Sequence, residues 1–227
     1  IVTNHTTLTT ADINLQSVSD TNTANSAAVG WYGNSGTVAE VIGQVLESIG
    51  GSYTFNRAGE LVLGVFAFAS PVGTVNAADI ISLQRVRTPI PTWRRQIGYG
   101  KSWLVQGQND VVAAATDARK DFVSQEYRYA IDEDSAIKTR RALARVAVVD
   151  TLLETGAAAA TEATRQQGLF GVDRNVYRVV AKRQQFKYRV GQTLTIDYGR
   201  FGFPKNAIVL SIVENTDRRY TEFRVFA

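Results

Sequence analysis

The sequence predicts an α+β chain, mainly β, in which a small helix-plus-hairpin domain precedes a β-barrel or sandwich domain with packed helices. An apolar stripe at helical spacing over 37–49 runs into a glycine pair and then into alternating residues. An alanine-rich helix over 155–170 gives way to segments with period-two alternation at 176–181, 193–198, 207–214 and 221–226. Between the halves, Pro89 and Pro91 disfavour helix and remove ladder donors on both sides of Ile90, which makes a linker. The expected division is an extended segment or linker over 1–36, a small α+β domain over 37–90, and a barrel over 91–227 with helices in 136–170.

Residues 1–34 are rich in Thr, Ser and Asn and read as extended chain, with a loop at 30–36. Trp31 and Tyr32 in that loop are a candidate anchor onto the chain's own core, or a platform on which a sugar ring stacks. Thr37, followed three residues later by Glu40, forms a capping box, and Gly50–Gly51 stop the helix. Tyr53 and Phe55, a turn at 57–59, and Leu61, Leu63 and Val65 then read as a hairpin. This helix and hairpin are too small to stand alone and call for 78–86 as a further strand.

Beyond the prolines, 93–104 reads as a strand interrupted at Gly98–Gly100, 110–123 as a helix, and 126–131 as a strand. A turn or cap at 132–135 leads into a helix over 136–153, and a second helix restarts near 154–156, capped by Thr155. Alanine makes that second helix cheap to form, and Ala160 is expected in a crowded contact with the barrel while Gln166 faces outward. Gly191, a corner at 199–204 and the 215–217 turn punctuate the strands. On that corner, Tyr198, Arg200, Phe201 and Phe203 are candidate partner-contact residues, which could equally plug the open end of their own barrel.

With 227 residues, 44% of them hydrophobic, the chain is long enough to bury a core, and it has no apolar run near the 18 residues that a membrane span requires. Cysteine is absent, so disulfide and thiol chemistry are excluded, and a single histidine, His5, excludes the usual imidazole-rich transition-metal sites. No cofactor and no metal site are expected. Methionine is absent as well, and a chain starting at Ile1 is expected to belong to a longer polypeptide. The net charge of +4 is spread over Arg85–Arg87, Arg94–Arg95, 138–145 and 182–189, which read as solvated faces, with no specific nucleic-acid site.

Phosphate-loop, nucleophile-elbow and zinc-protease motifs are all missing. Asp132, Glu133 and Asp134 are the nearest approach to a catalytic grouping. Paired carboxylates serve glycoside hydrolysis only when they face one cleft about 5–10 Å apart, which sequence neighbours seldom do. Acidic residues ahead of a helix N-terminus are the simpler reading. No catalytic residue is assigned, and an enzyme is not expected.

Several stretches together resemble the hub or tail-tip proteins of tailed bacteriophages and related particles. They are the helix and hairpin over 37–61, the segment 150–171, the strand and glycine corner over 190–202, and the closing strands 208–215 and 221–226. The resemblance implies a tail-tube-like barrel, no catalytic motif, and a structural role at the distal end of the tail tube. It implies a threefold ring around a channel, with tube, spike or fibre proteins as partners. The location implied is the virion, and the host cytoplasm during assembly. The alternative is a carbohydrate- or receptor-binding module of such an assembly.

Overall fold

The structure, a computed structural model, describes residues 6–33, 36–107, 110–183 and 185–227. His5 lies outside them. The chain is α+β and mainly β, and it falls into two compact units, each assembled from separated segments. Unit 1 comprises Ile1–Gly64 and Thr92–Gly171, and unit 2 comprises Val65–Pro91 and Val172–Ala227. One crossing between units falls directly after Pro91.

Unit 1 begins with a helix where extended chain was expected: α1, Leu15–Ala24. Asn14 caps it, its side-chain oxygen accepting from Ser17 N at 3.0 Å, and the Ser17 hydroxyl accepts in turn from Leu63 N. The helix has a weak apolar face and buries only Ser17 and Thr21, so periodicity hid it. Helix α2, Val38–Ser48, carries the expected capping box: Glu40 N donates to Thr37 Oγ1, and Thr37 N donates to the Glu40 carboxylate. Strands β1, Gly51–Phe55, and β2, Leu61–Val65, pair as a two-stranded sheet around the Asn56–Gly59 turn.

The second part of unit 1 is a three-stranded sheet ordered β6-β5-β7, with β5 Thr92–Tyr99, β6 Arg128–Glu133 and β7 Arg145–Asp150. In that numbering β3 is Thr74–Val75 and β4 is Ile80–Arg87, both belonging to unit 2. Helix α3, Asp117–Ser124, occupies the end of the predicted 110–123 helix and is capped by Thr116. The helix expected over 136–153 is a correction. Only α4, Ser135–Arg140, forms, and Val146, Val148 and Val149 enter β7 parallel to β5. Branching at Cβ stiffens these valines and favours a pleated surface.

Helix α5, Gly156–Phe170, is capped by Thr155 and lies on β5 and β6. Its inward face is Ala159, Glu162, Ala163, Gln166, Gln167 and Leu169. Ala160 is exposed and Gln166 is buried, the reverse of the expectation. The buried polar residues explain the reversal. Arg165 grips the Glu162 carboxylate through two hydrogen bonds of 2.6 and 2.8 Å, and Gln166 Nε2 donates to it at 2.8 Å. Arg95 of β5 donates to Gln166 Oε1 at 2.9 Å and stacks on Phe170, and Gln167 Nε2 donates to the Thr92 carbonyl. Burial, together with the like charge of Arg165, lowers the pKa of Arg95, and Glu162 opposes that shift. Gly50, at φ +63, is required here: a Cβ would sit 1.8 Å from Arg165 Nη2. Around this network lies the apolar core of Leu46, Ile49, Ile97, Leu153, Ala159 and Ala163.

Unit 2 is a six-stranded sheet ordered β3-β9-β10-β11-β8-β4, completed by β8 Val176–Lys182, β9 Thr193–Ile196, β10 Lys205–Asn215 and β11 Tyr220–Phe226. All its pairings are antiparallel except β3 with β9. Bulges at Val209/Ser211 and within β4 interrupt the ladder, a device that bends and twists strands. Among the described residues β3 and β4 do not pair with each other, so the ladder is open, within the barrel or sandwich class that the sequence predicts. Strand β4 joins this sheet through β8, not the helix and hairpin that were expected to recruit it. The core holds Tyr177, Val179, Leu194, Ile196, Val209, Phe223 and Val225.

Two predictions follow from these contacts. Thr37→Ala strands first-turn amides of α2 and lowers stability by about 1 kcal/mol in a urea titration; an unchanged midpoint contradicts the capping role. Glu162→Ala removes the carboxylate to which Arg165 and Gln166 donate, costing about 3 kcal/mol, while Ala160→Glu on the exposed side of α5 stays within about 0.5 kcal/mol of wild type. Equal losses for the two variants would show that the network does not hold the helix.

Candidate interaction surfaces

The 198–204 corner is built by a backbone that turns left-handed at two successive residues, Phe201 at φ 59 and Gly202 at φ 72. A large non-glycine residue is disfavoured there by contact between its Cβ and the following carbonyl oxygen. The corner divides its aromatic residues between two roles. Phe203 lies edge-on to the buried Tyr177 ring at 5.1 Å and, with Tyr198, packs against the core of unit 2. Phe201 stays 44% exposed, its ring centre 5.9 Å from that of Tyr177 and 5.9 Å from the Arg85 guanidinium. Arg200 is exposed. Only Phe201 and Arg200 therefore present themselves outward.

Trp31 and Tyr32 also separate. The Trp31 indole folds back onto its own loop, so close to Gly33 that a Cβ there would lie 2.9 Å from the ring. Tyr32 is 73% exposed and meets Trp103 edge-on at 6.0 Å. Lys101 Nζ sits 4.5 Å from the Trp103 ring centre and 3.6 Å from the Glu126 carboxylate, and hydrogen bonding to Tyr127 raises its pKa, so it stays an ammonium. Beside these groups is a cleft of about 270 Å³, reached by Trp103, Phe122 and Glu154. A second groove, about 370 Å³, runs along α2 by Glu47 and Tyr53.

The third surface was missed from sequence, because β7 was read as helix. Register aligns Arg94, Gln96 and Gly98 of β5 with Glu133, Ile131 and Tyr129 of β6, and with Val146, Val148 and Asp150 of β7. These residues share the sheet face opposite α5, since Ile97 and Arg95 point into the helix contact. On this outer face Tyr129, Ile131, Val146 and Val148 are each 44–53% exposed. The Arg94–Glu133 ion pair at 2.6 Å and the Tyr129 hydroxyl donating to Asp150 at 3.0 Å border it. The alternating run Val146, Val148, Asp150 was the available signal.

The acidic trio does not converge on a cleft. Asp132 and Glu133 are consecutive in β6 and take opposite faces, Glu133 pairs with Arg94, and Asp134 caps α4 by accepting from Ala136 N at 2.9 Å. Among the described residues no three acidic or histidine side chains gather as a metal site, and no helix is long and apolar enough to cross a membrane.

Protein-family models and curated proteins give no match to this chain. Solved structures do. Over 88% of its length the chain matches a tail protein from Neisseria meningitidis MC58, with TM-score 0.51 and 15% identity, covering 58% of that chain. Over 82% it matches a chain of the virion of a native gene transfer agent particle, with TM-score 0.52 and 10% identity, covering 37% of that chain. The 43 kDa tail protein of prophage MuSo2 from Shewanella oneidensis is also similar, with TM-score 0.45, 15% identity, and coverage of 78% of this chain and 50% of that one. The chain thus shares the fold of that Neisseria tail protein and of that gene transfer agent virion chain, and it spans about half the length of the structures it matches.

The corner yields a prediction that separates its two rings. Phe203→Ala, which opens the contact with Tyr177, lowers stability by about 2 kcal/mol, and Phe201→Ala by less than about 1 kcal/mol. Thermal melting of the two variants checks the ordering, and a larger loss for Phe201→Ala refutes it.

Proposed function

We propose that this chain is a structural component of a bacteriophage tail tip or baseplate hub. In this reading it connects the tail tube to a distal spike or fibre and forms part of a ring around the channel. The observation that carries the reading is the fold shared with a tail protein and with a chain of a gene transfer agent virion, each across more than four-fifths of this chain. The surfaces described above fit an assembly role: two sheets with unpaired edges and one exposed apolar sheet face. No step of chemistry is assigned to any residue.

Copies of the chain are its first partners. The edges of the three-stranded sheet are β6 and β7, and they run antiparallel to each other. Thr92 aligns with Arg145 on one side, and Arg95 with Asp132 on the other, so the acidic end of β6 and the basic start of β7 stand at the same level. A head-to-tail contact of β7 with the β6 of the next copy then sets Asp132–Asp134 against Arg140, Arg141 and Arg145. Heterologous contacts of this kind close into a ring when the rotation between copies closes, and into a filament when it does not; a closed threefold ring is proposed. Phe201 and Arg200 are proposed to meet a different tail protein. The site of action is the virion, with the host cytoplasm as the place of assembly.

Light scattering and native mass spectrometry test this reading. A trimer is expected, and Arg145→Glu raises its dissociation constant at least about 10-fold by setting like charges edge to edge. A wild-type monomer that persists at assembly concentrations overturns the ring.

A further inference from the structure

We propose that the cleft between the Gly30 loop, the 100–103 segment, Phe122 and Glu154 is a saccharide site that accepts one neutral pyranose ring. Its volume of about 270 Å³ is near the small end of the ligand-pocket range, room for a single ring. The walls are formed in advance. Gly30 N donates to the Leu152 carbonyl at 2.9 Å, Gly100 N to the Leu153 carbonyl at 2.7 Å, and Ser102 N to the Glu126 carbonyl at 2.8 Å. The Arg128 guanidinium clips the same segment, donating to the Gly100 carbonyl and, at 3.1 Å, to Ser102 Oγ, with its Cζ 3.4 Å from the Phe122 ring centre.

The chemistry of the lining selects the ligand. Glu154 accepts no hydrogen bond from any described residue, so all its lone pairs are available to O–H donors. Lys101, also in the lining, offers ammonium protons, and Trp103, 46% exposed, supplies an aromatic surface. An anion would confront Glu154, and a cation would confront Lys101. A polyhydroxylated ring donates to the carboxylate through neighbouring hydroxyls, accepts from the ammonium, and turns its C–H face, weakly positive, toward the negative face of an aromatic ring. Gly30 keeps the carboxylate in place: a Cβ at that position would lie 3.0 Å from Glu154 Oε1.

This site is independent of the ring contact, so either proposal can fail alone. The test is titration of the intact chain, followed by tryptophan fluorescence and amide NMR shifts. The probes are glucose, galactose and N-acetylglucosamine, each also as its β-linked trimer. At least one of these is expected to saturate with Kd of about 1 mM. Saturation by monosaccharide identifies a free-sugar site; saturation only by trimer identifies recognition within a polymer, and both sustain the proposal. Glu154→Gln and Gly30→Ala weaken the binding at least about 10-fold with melting temperature unchanged, and Phe201→Ala, in unit 2, leaves it as it is. The proposal is overturned if no probe saturates at about 50 mM on folded protein, if Glu154→Gln binds like wild type, or if phenylalanine, a zwitterion, binds in preference to every sugar.

Discussion

Unit 1 depends on a carboxylate that has been taken out of water. Glu162 is 1% exposed, and a buried charge is tolerated only when it is paired and its remaining lone pairs are occupied. Arg165 and Gln166 meet that requirement from the same helix, and Gln166 passes the constraint to Arg95 on the central strand. Because hydrogen bonds are directional where apolar contacts are not, this chain of groups fixes the rotation of α5 over the sheet. The alanines beside it, Ala159 and Ala163, let the helix approach β5 closely, and Gly50 leaves room for the guanidinium.

Unit 2 is held differently. Its core is almost wholly apolar, with Phe223, Val179, Val225, Leu194 and Ile196 fully enclosed, and its polar interactions sit at the margins. The Arg178–Glu222 pair at 2.5 Å runs diagonally across β8 and β11, and the arginine depresses the Glu222 pKa. Tyr177 is the link between this core and the 198–204 corner, since its buried ring contacts both Phe203 and Phe201. The corner is thereby positioned by the core while its tip stays available.

The three surfaces differ in the work they can do. The outer face of the three-stranded sheet exposes four large apolar side chains beside a charged border, as a protein contact requires. The cleft beside Trp103 is small, concave and lined by opposite charges, as a small polar ligand requires. The corner offers one exposed ring and one guanidinium, the residue types that anchor interfaces.

Local signals were enough for much of the fold. The Thr37–Glu40 box, the Thr155 cap and the two-residue alternation in β8, β9, β10 and β11 are read within a few residues, and each element stands where the pattern places it. Alternation also established the mainly β class. Pairing partners were not legible, because hydrogen bonds in a ladder join backbone groups that carry no sequence label. Strand β7 follows a helix and precedes another, and only its parallel pairing with β5 decides that Val146–Val149 are extended. The same holds for the inward face of α5. Glu162 sits among Ala157–Ala160 and Ala163 in sequence, and tertiary contacts, Gln166 with Arg95 and the space left by Gly50, decide that the carboxylate, and not Ala160, is turned inside.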